Sequence, residues 1–385
     1  MLHILTVIGA RPQIIKAAAL SRAIRLHFAD KIRETIVHTG QHYDDNMSQI
    51  FFDELGIPPE DYNMELGIGS DKNDGEKQIA EMAVHLENLM KTEKPDAIVV
   101  YGDTNSTKAG AMAGFNSHIP VVHIEAGMRS FNLDMPEEVN RIYCDQVSTL
   151  LFSPTKTGYD NLVKEEIVST GRTLKASLKN PMIYHCGDVM YDNSMYFAEI
   201  ANRKPQFLKE INLQPGNFFL ATIHRNFNTD NSERLSNILE TLEKISVEHK
   251  TPVVIPLHPR TRKQIDLLPE LKKSISGNKN IRIIPPASYL EMITLEKNAK
   301  LILTDSGGVQ KEAYYFQKPC VILRPETEWV ELVESGAAIL ADVDPDKIQG
   351  AVRALLQKEI EYPPIFGDGH AAEFICSEMI RHLSK

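Results

Sequence analysis

The sequence predicts an α/β protein of two domains, each a parallel sheet flanked by helices. Three observations predict it. The chain is longer than one hydrophobic core usually serves, short apolar runs alternate with amphipathic stretches throughout, and that alternation falls into two separate series. At 385 residues and 42% hydrophobic content, two cores with a cleft between them are the natural arrangement.

The first apolar run, HILTVI, breaks at Gly9 with Arg11 and Pro12 behind it, and reads as the first strand. TIVHTG, AIVVYG, PVVHIEAG and TLLFSPT follow, each leading into a helix-like segment or loop, which is the βαβα pattern of a parallel sheet; this series makes a first domain of residues 1–186. A second series, FFLATIH, VVIPLHP, IRIIPP, KLILTDSGG and CVILR, alternates with helical patterns at 231–247 and 307–316 and makes a second domain of residues 187–369. The stretch 186–216 is bounded by Gly187 and by Pro205, Pro215 and Gly216, and holds the hinge. Residues 164–181 are polar and basic and form an exposed excursion. The last helix-like stretch, within 370–385, follows YPPIFGDG and is expected to pack back across the junction.

Composition excludes several classes. A net charge of −10 argues against a binder of nucleic-acid backbone, while leaving room for a local basic pocket that takes one small anion. Cys144, Cys186, Cys320 and Cys376 lie far apart with no CxxC spacing, as buried small hydrophobes in a reducing compartment do, so a cytoplasmic protein is expected. The first apolar run is too short for a signal peptide, and no segment approaches the roughly 18 uninterrupted apolar residues of a membrane span.

Ligands of parallel sheets bind beyond the carboxyl ends of the strands, and several such ends here are polar. Gly9 to Pro12 and Lys16 would aim a guanidinium, an ammonium and helix N–H groups at an anion, although a glycine turn with solvated charges has the same residues. TDSGG at 304–308 brings backbone donors and the Ser306 hydroxyl to where a diphosphate would sit, with Gly307 and Gly308 allowing close approach. Glu312, on the helix that follows, suits a ribose diol. Asp103 follows the strand AIVVY, and His123 and Glu125 stand two apart on one side of theirs. Glu137 and Glu138 follow Pro136 in ordinary helix-start chemistry, and Glu137 with Arg141 reads as an i,i+4 pair. His224 in TIHRN and His258 in PLHPR end strands of the second domain, facing the same cleft as phosphate or leaving-group contacts. His123-x-Glu125 matches half of a zinc deaminase signature, but PCxxC is absent, so no catalytic metal is expected.

The ordered set GARP, GDT, HIEAG, PEEVNR, HR, HPR and TDSGGVQKEA resembles the non-hydrolysing UDP-N-acetylglucosamine 2-epimerases from about residue 4 to residue 355. The resemblance implies a glycosyltransferase-B-like fold of two Rossmann-like domains closing over a UDP-activated 2-acetamido sugar, usually a homodimer, with no redox cofactor. Carried over by position, it assigns Arg11, Lys16, Arg141, His224, His258, Ser306, Gly307, Gly308 and Glu312 to UDP, and Asp103, Glu125 and Glu137 to catalysis. The implied chemistry agrees with the residue types. A C2 hydrogen beside an acetamide and an acetal is too weakly acidic to leave unaided, whereas elimination of UDP from C1 gives a 2-acetamidoglucal. Inversion then needs acid/base groups on both faces. The expected roles are Asp103 as base at C2, Glu137 as the opposing acid/base, Glu125 orienting the sugar or shuttling protons, and His224 with Arg11 stabilising the departing diphosphate.

GARPQ, GDVMYD at 187–192 and RPETEWVEL at 324–332 depart from the commoner GTRPE, GNT and RxxTERPE patterns, and resemble the branch acting on UDP-2,3-diacetamido-2,3-dideoxyglucuronate. There Trp329 either packs on the extra acetyl group or fills a hydrophobic gap. QHYDDNM at 41–47 departs from the segment that binds a second, activating UDP-sugar in some members, so no allosteric activation is expected. Competing readings are a hydrolysing relative, a glycosyltransferase of the same fold, and a non-catalytic sensor; the first-domain carboxylates favour the epimerases.

Overall fold

The apolar runs become strands buried on both faces, as a parallel sheet covered by helices requires. The computed structural model describes residues 1–41, 59–66, 75–167, 176–202, 206–257, 259–269, 272, 275 and 277–384, without the side chains of Arg11, Pro259 and Arg260. It divides into two compact units, one of residues 1–193 with 364–385 and one of residues 194–363.

In the first unit β1 (Leu2–Ile8), β2 (Ile32–His38), β3 (Tyr62–Asn63), β4 (Ala97–Tyr101), β5 (Val121–Ile124), β6 (Leu150–Ser153) and β7 (Met182–His185) form one parallel sheet in the order β3-β2-β1-β4-β5-β6-β7. The register runs Leu2 to Ile32 on one side of β1 and Ile4 to Ala97 on the other. Its core joins Leu5, Val7, Ile98 and Val100 to Ile79, Met82 and Leu86 of the helix Gly75–Glu93.

The second unit repeats the plan. Here β8 (Phe219–Thr222), β9 (Val253–Pro256), β10 (Ile281–Ile284), β11 (Leu301–Thr304), β12 (Cys320–Ile322) and β13 (Ala338–Leu340) lie in the order β10-β9-β8-β11-β12-β13, again all parallel. Asn231 accepts from the Arg234 amide and opens the helix Ser232–His249, whose Leu235, Ile238, Leu239, Leu242 and Ile245 build the core against the sheet. Both sheets are Rossmann-like. In each, the strand order reverses once, between β1 and β4 in the first and between β8 and β11 in the second, and these switch points are where such sheets take ligands.

The chain leaves the first unit after Asn193, seven residues beyond the sequence-based boundary at 186, for a reason visible in the side chains. Asn193 donates to the Ile15 carbonyl at 2.5 Å and accepts from Arg22 at 2.9 Å, while Asp192 accepts the Ala371 and Ala372 amides at 3.2 and 2.8 Å. GDVMYD therefore belongs to the first unit, and Asp192 holds the start of the final helix, Ala371–Leu383, against it. Phe374 meets Phe152 and Tyr184 edge-on, and the Tyr184 hydroxyl lies 2.7 Å from His382 Nε2. The middle of the 164–181 excursion, residues 168–175, lies outside the described residues, as do residues 42–47 of QHYDDNM. All four cysteines are free thiols, and no described helix is long and apolar enough to cross a membrane.

Candidate active site

At the first switch point a single side chain ties the two strand ends together. Gln13 Oε1 accepts the Gly9 and Ala10 amides at 2.9 and 3.1 Å, and its Nε2 donates to the Tyr101 carbonyl at 3.2 Å and to Thr107 Oγ1 at 3.0 Å. A glutamate in its place would accept but not donate, which gives the GARPQ variant a physical sense. Arg11 heads the helix Arg11–Ala23, its side chain outside the described part. One turn later Lys16 forms an ion pair with Glu125. Gly102, at φ 63°, makes room for that pair, since a Cβ there would stand 3.0 Å from Lys16 Nζ.

Asp103 lies beside this pair in sequence position and is answered by Arg141, Oδ2 to Nη2 2.6 Å. Arg141 Nη1 reaches Glu138 Oε2 at 2.7 Å, so the i,i+4 pairing expected of Glu137 and Arg141 is replaced by an i,i+3 pair with Glu138. The helix Pro136–Val147 turns Glu138 inward and leaves Glu137 exposed. Glu138 also accepts the Ser130 and Phe131 amides at 2.9 Å each; burial opposes its charge, but these donors and Arg141 hold its carboxyl below the usual range. Burial likewise opposes the Arg141 charge, and Asp103 and Glu138 outweigh it, raising the pKa. Asn140 donates to the Asp103 carbonyl at 3.0 Å.

Behind these groups runs a buried polar chain that the motifs do not announce. His123, fully buried, sets Nδ1 2.7 Å from Asp145 Oδ1 and Nε2 2.8 Å from the Gly102 carbonyl. Asp145 Oδ2 takes Arg129 Nη2 at 2.7 Å and the Gly127 amide at 3.1 Å, and Arg129 forks onto Glu165 with two bonds of 2.7 Å. Burial opposes the Asp145 charge, but His123 and Arg129 hold its carboxyl low.

At the second switch point Asp305, buried at the end of β11, is the hub. It accepts the His224 amide at 2.9 Å, the Arg225 amide at 3.0 Å and Asn228 Nδ2 at 3.0 Å, fixing the turn after β8 while the His224 side chain stays exposed. Thr222 and Thr304 share a hydroxyl bond of 2.6 Å across the same two strands. Ser306 is the N-cap of the helix Gly307–Tyr315, yet its hydroxyl makes no capping bond, so hydroxyl and helix-start amides together suit an anion. Gly307 is packed tightly, a Cβ there falling 2.6 Å from Glu328 Oε1. Trp329 is 4% exposed, with Lys311 Nζ 4.2 Å from its ring centroid. Glu312 is buried against Glu296, to which it is hydrogen-bonded; desolvation first and the neighbouring Glu312 second push the Glu296 carboxyl well above its usual range. Glu296 reads in sequence as a helix surface charge. His258 lies outside the described residues.

Among the described residues no group of three or more His, Cys, Asp or Glu side chains is placed to hold a metal ion. Two Rossmann-like parallel sheets, each with polar groups gathered at its switch point, define a glycosyltransferase-B-like α/β protein. The sequence profile of the UDP-N-acetylglucosamine 2-epimerases matches residues 25–380. The chain is 46% identical over 382 residues to the UDP-2,3-diacetamido-2,3-dideoxy-D-glucuronate 2-epimerase of Pseudomonas aeruginosa, covering 99% of this chain and all of that one. It is 39% identical to the UDP-N-acetylglucosamine 2-epimerase of Methanocaldococcus jannaschii, covering 96% of each. A crystal structure of the M. jannaschii UDP-GlcNAc 2-epimerase in complex with UDP-GlcNAc and UDP superimposes with a TM-score of 0.83, covering 98% of this chain and 99% of that one at 38% identity. The chain belongs to the UDP-N-acetylglucosamine 2-epimerase family.

Proposed function

We propose that the protein interconverts UDP-GlcNAc and UDP-ManNAc by eliminating UDP from C1 and adding it back across a 2-acetamidoglucal. The observation that carries this reading is the cluster at the first switch point, where Asp103 and Glu125 are each matched to one cation, Arg141 and Lys16. Acid/base groups of this kind suit proton removal and return at C2, and a protein that only sensed the nucleotide would have no use for them. Asp103 takes the C2 proton, Glu137 serves the opposite face, and Glu125 orients the sugar. In the second unit Ser306, Gly307, Gly308, His224 and His258 serve a diphosphate, and Glu312, to which Glu296 is hydrogen-bonded, serves a ribose, while Arg11 in the first unit serves an anion of its own. Arg141 and Lys16, assigned to UDP by resemblance, act here on the carboxylates.

A second reading, the UDP-2,3-diacetamido-2,3-dideoxyglucuronate 2-epimerase, is favoured by GARPQ, GDVMYD and RPETEWVEL and by the P. aeruginosa relative. Proton NMR in D₂O with each sugar separates the two. UDP-ManNAc with deuterium at C2 supports the first, turnover of the uronate alone supports the second, and accumulation of free UDP with neither product epimerised would contradict both. The same reading carries a cytoplasmic homodimer supplying cell-surface polysaccharide synthesis; light scattering at twice the chain mass is the expected result.

A further inference from the structure

We propose that His123 is a buried imidazolium that acts as the positioning residue for Asp103 and Glu125. The proposal rests on the catalytic reading of those two carboxylates.

Both ring nitrogens face groups that accept. Nε2 lies 2.8 Å from the Gly102 carbonyl, which has no proton to give, so Nε2 carries one. Nδ1 lies 2.7 Å from Asp145 Oδ1. The other oxygen of that carboxylate receives Arg129 Nη2 at 2.7 Å and the Gly127 amide at 3.1 Å, both donors, as an ionised carboxylate requires. A bare Nδ1 would then set its lone pair against a carboxylate oxygen in a site with no solvent. The remaining arrangement, a protonated Asp145 donating to Nδ1, is opposed by the guanidinium on the same carboxylate. Charges therefore alternate from His123 through Asp145 and Arg129 to Glu165, whose side chain is 35% exposed and ends the chain near water.

This chain of charges holds two strand-end turns at once. The bond to the Gly102 carbonyl sets the plane of the peptide that leads into Asp103. The bond from the Gly127 amide to Asp145 sets the turn just after Glu125, which sits at φ 74°, a left-handed conformation that a non-glycine residue keeps only where the surroundings over-determine it. One His–Asp pair thus fixes the mutual placement of the two carboxylates from beneath, without touching substrate.

Histidine-selective ¹⁵N labelling of the wild-type protein tests the charge state. One ring is expected to show both nitrogens protonated at neutral pH, with two slowly exchanging ring protons that vanish in His123→Gln; the absence of any such ring, or its persistence in His123→Gln, would overturn the proposal. In His123→Gln, kcat is expected to fall about 100-fold, the scale of a misplacement near one ångström, with KM and UDP affinity little changed. Unchanged kcat, or equal loss of kcat and UDP binding, would contradict a positioning role. If that variant does not fold, Asp145→Asn decides by the same split. Retained C2 exchange in Asp103→Asn would instead sink the catalytic reading while leaving the ring spectrum as it is.

Discussion

Arg141 stands between Asp103 and Glu138, and the two contacts differ in what their loss would do. Glu138 is 1% exposed, so removing the guanidinium leaves a buried carboxylate held only by the Ser130 and Phe131 amides and the Ser130 side chain. Arg141→Ala is expected to destabilise the protein by about 3 kcal/mol in urea unfolding. Arg141→Lys keeps the charge but cannot fork onto two carboxylates, and its deficit should appear in kcat more than in stability. At the second switch point the Ser306 hydroxyl makes no bond to its own helix. Ser306→Ala should therefore leave the thermal midpoint unchanged while weakening UDP about tenfold, the value of one hydrogen bond to a charged group, measured by calorimetry.

The final helix depends on a carboxylate far from it in sequence. Asp192 accepts the first two amides of Ala371–Leu383, and its burial, partly offset by those amides, pushes its pKa from 3.8 up to about 6. Because the folded value is the higher one, the protonated form contributes stability that is complete below 3.8 and is lost as pH rises to about 6. Asp192→Asn should flatten that part of the stability profile, and Asp192→Ala should cost about 1 kcal/mol and speed hydrogen exchange at the Ala371 and Ala372 amides. No local pattern announces this cap, since GDVMYD reads simply as the start of a helix. Strand ends were legible, because glycine and polar residues directly after an apolar run mark them: Gly9, Gly102, Asp103 and TDSGG all fall where the alternation places them. The inward turn of Glu138 was not, since adjacent glutamates differ only in helical phase and it is the Ser130 and Phe131 amides that single Glu138 out. Asp145 and Glu296 look like ordinary helix charges until the sheet brings His123 and Glu312 to them.

At the scale of the whole molecule, the same sheet order occurs twice, and the proposed function assigns acid/base groups to one reversal and anion-binding groups to the other. Neither copy alone explains epimerisation: carboxylates without a held leaving group cannot drive elimination, and a diphosphate turn without acid/base groups only binds. UDP-GlcNAc carrying ¹⁸O in the bridge between C1 and the β-phosphorus, incubated in D₂O, reports both halves in one tube. The label should leave the bridge for the non-bridging oxygens as deuterium enters C2, with neither change in Asp103→Asn. Deuterium at C2 with the label still wholly in the bridge would show that the proton moves without departure of UDP, and would contradict the account.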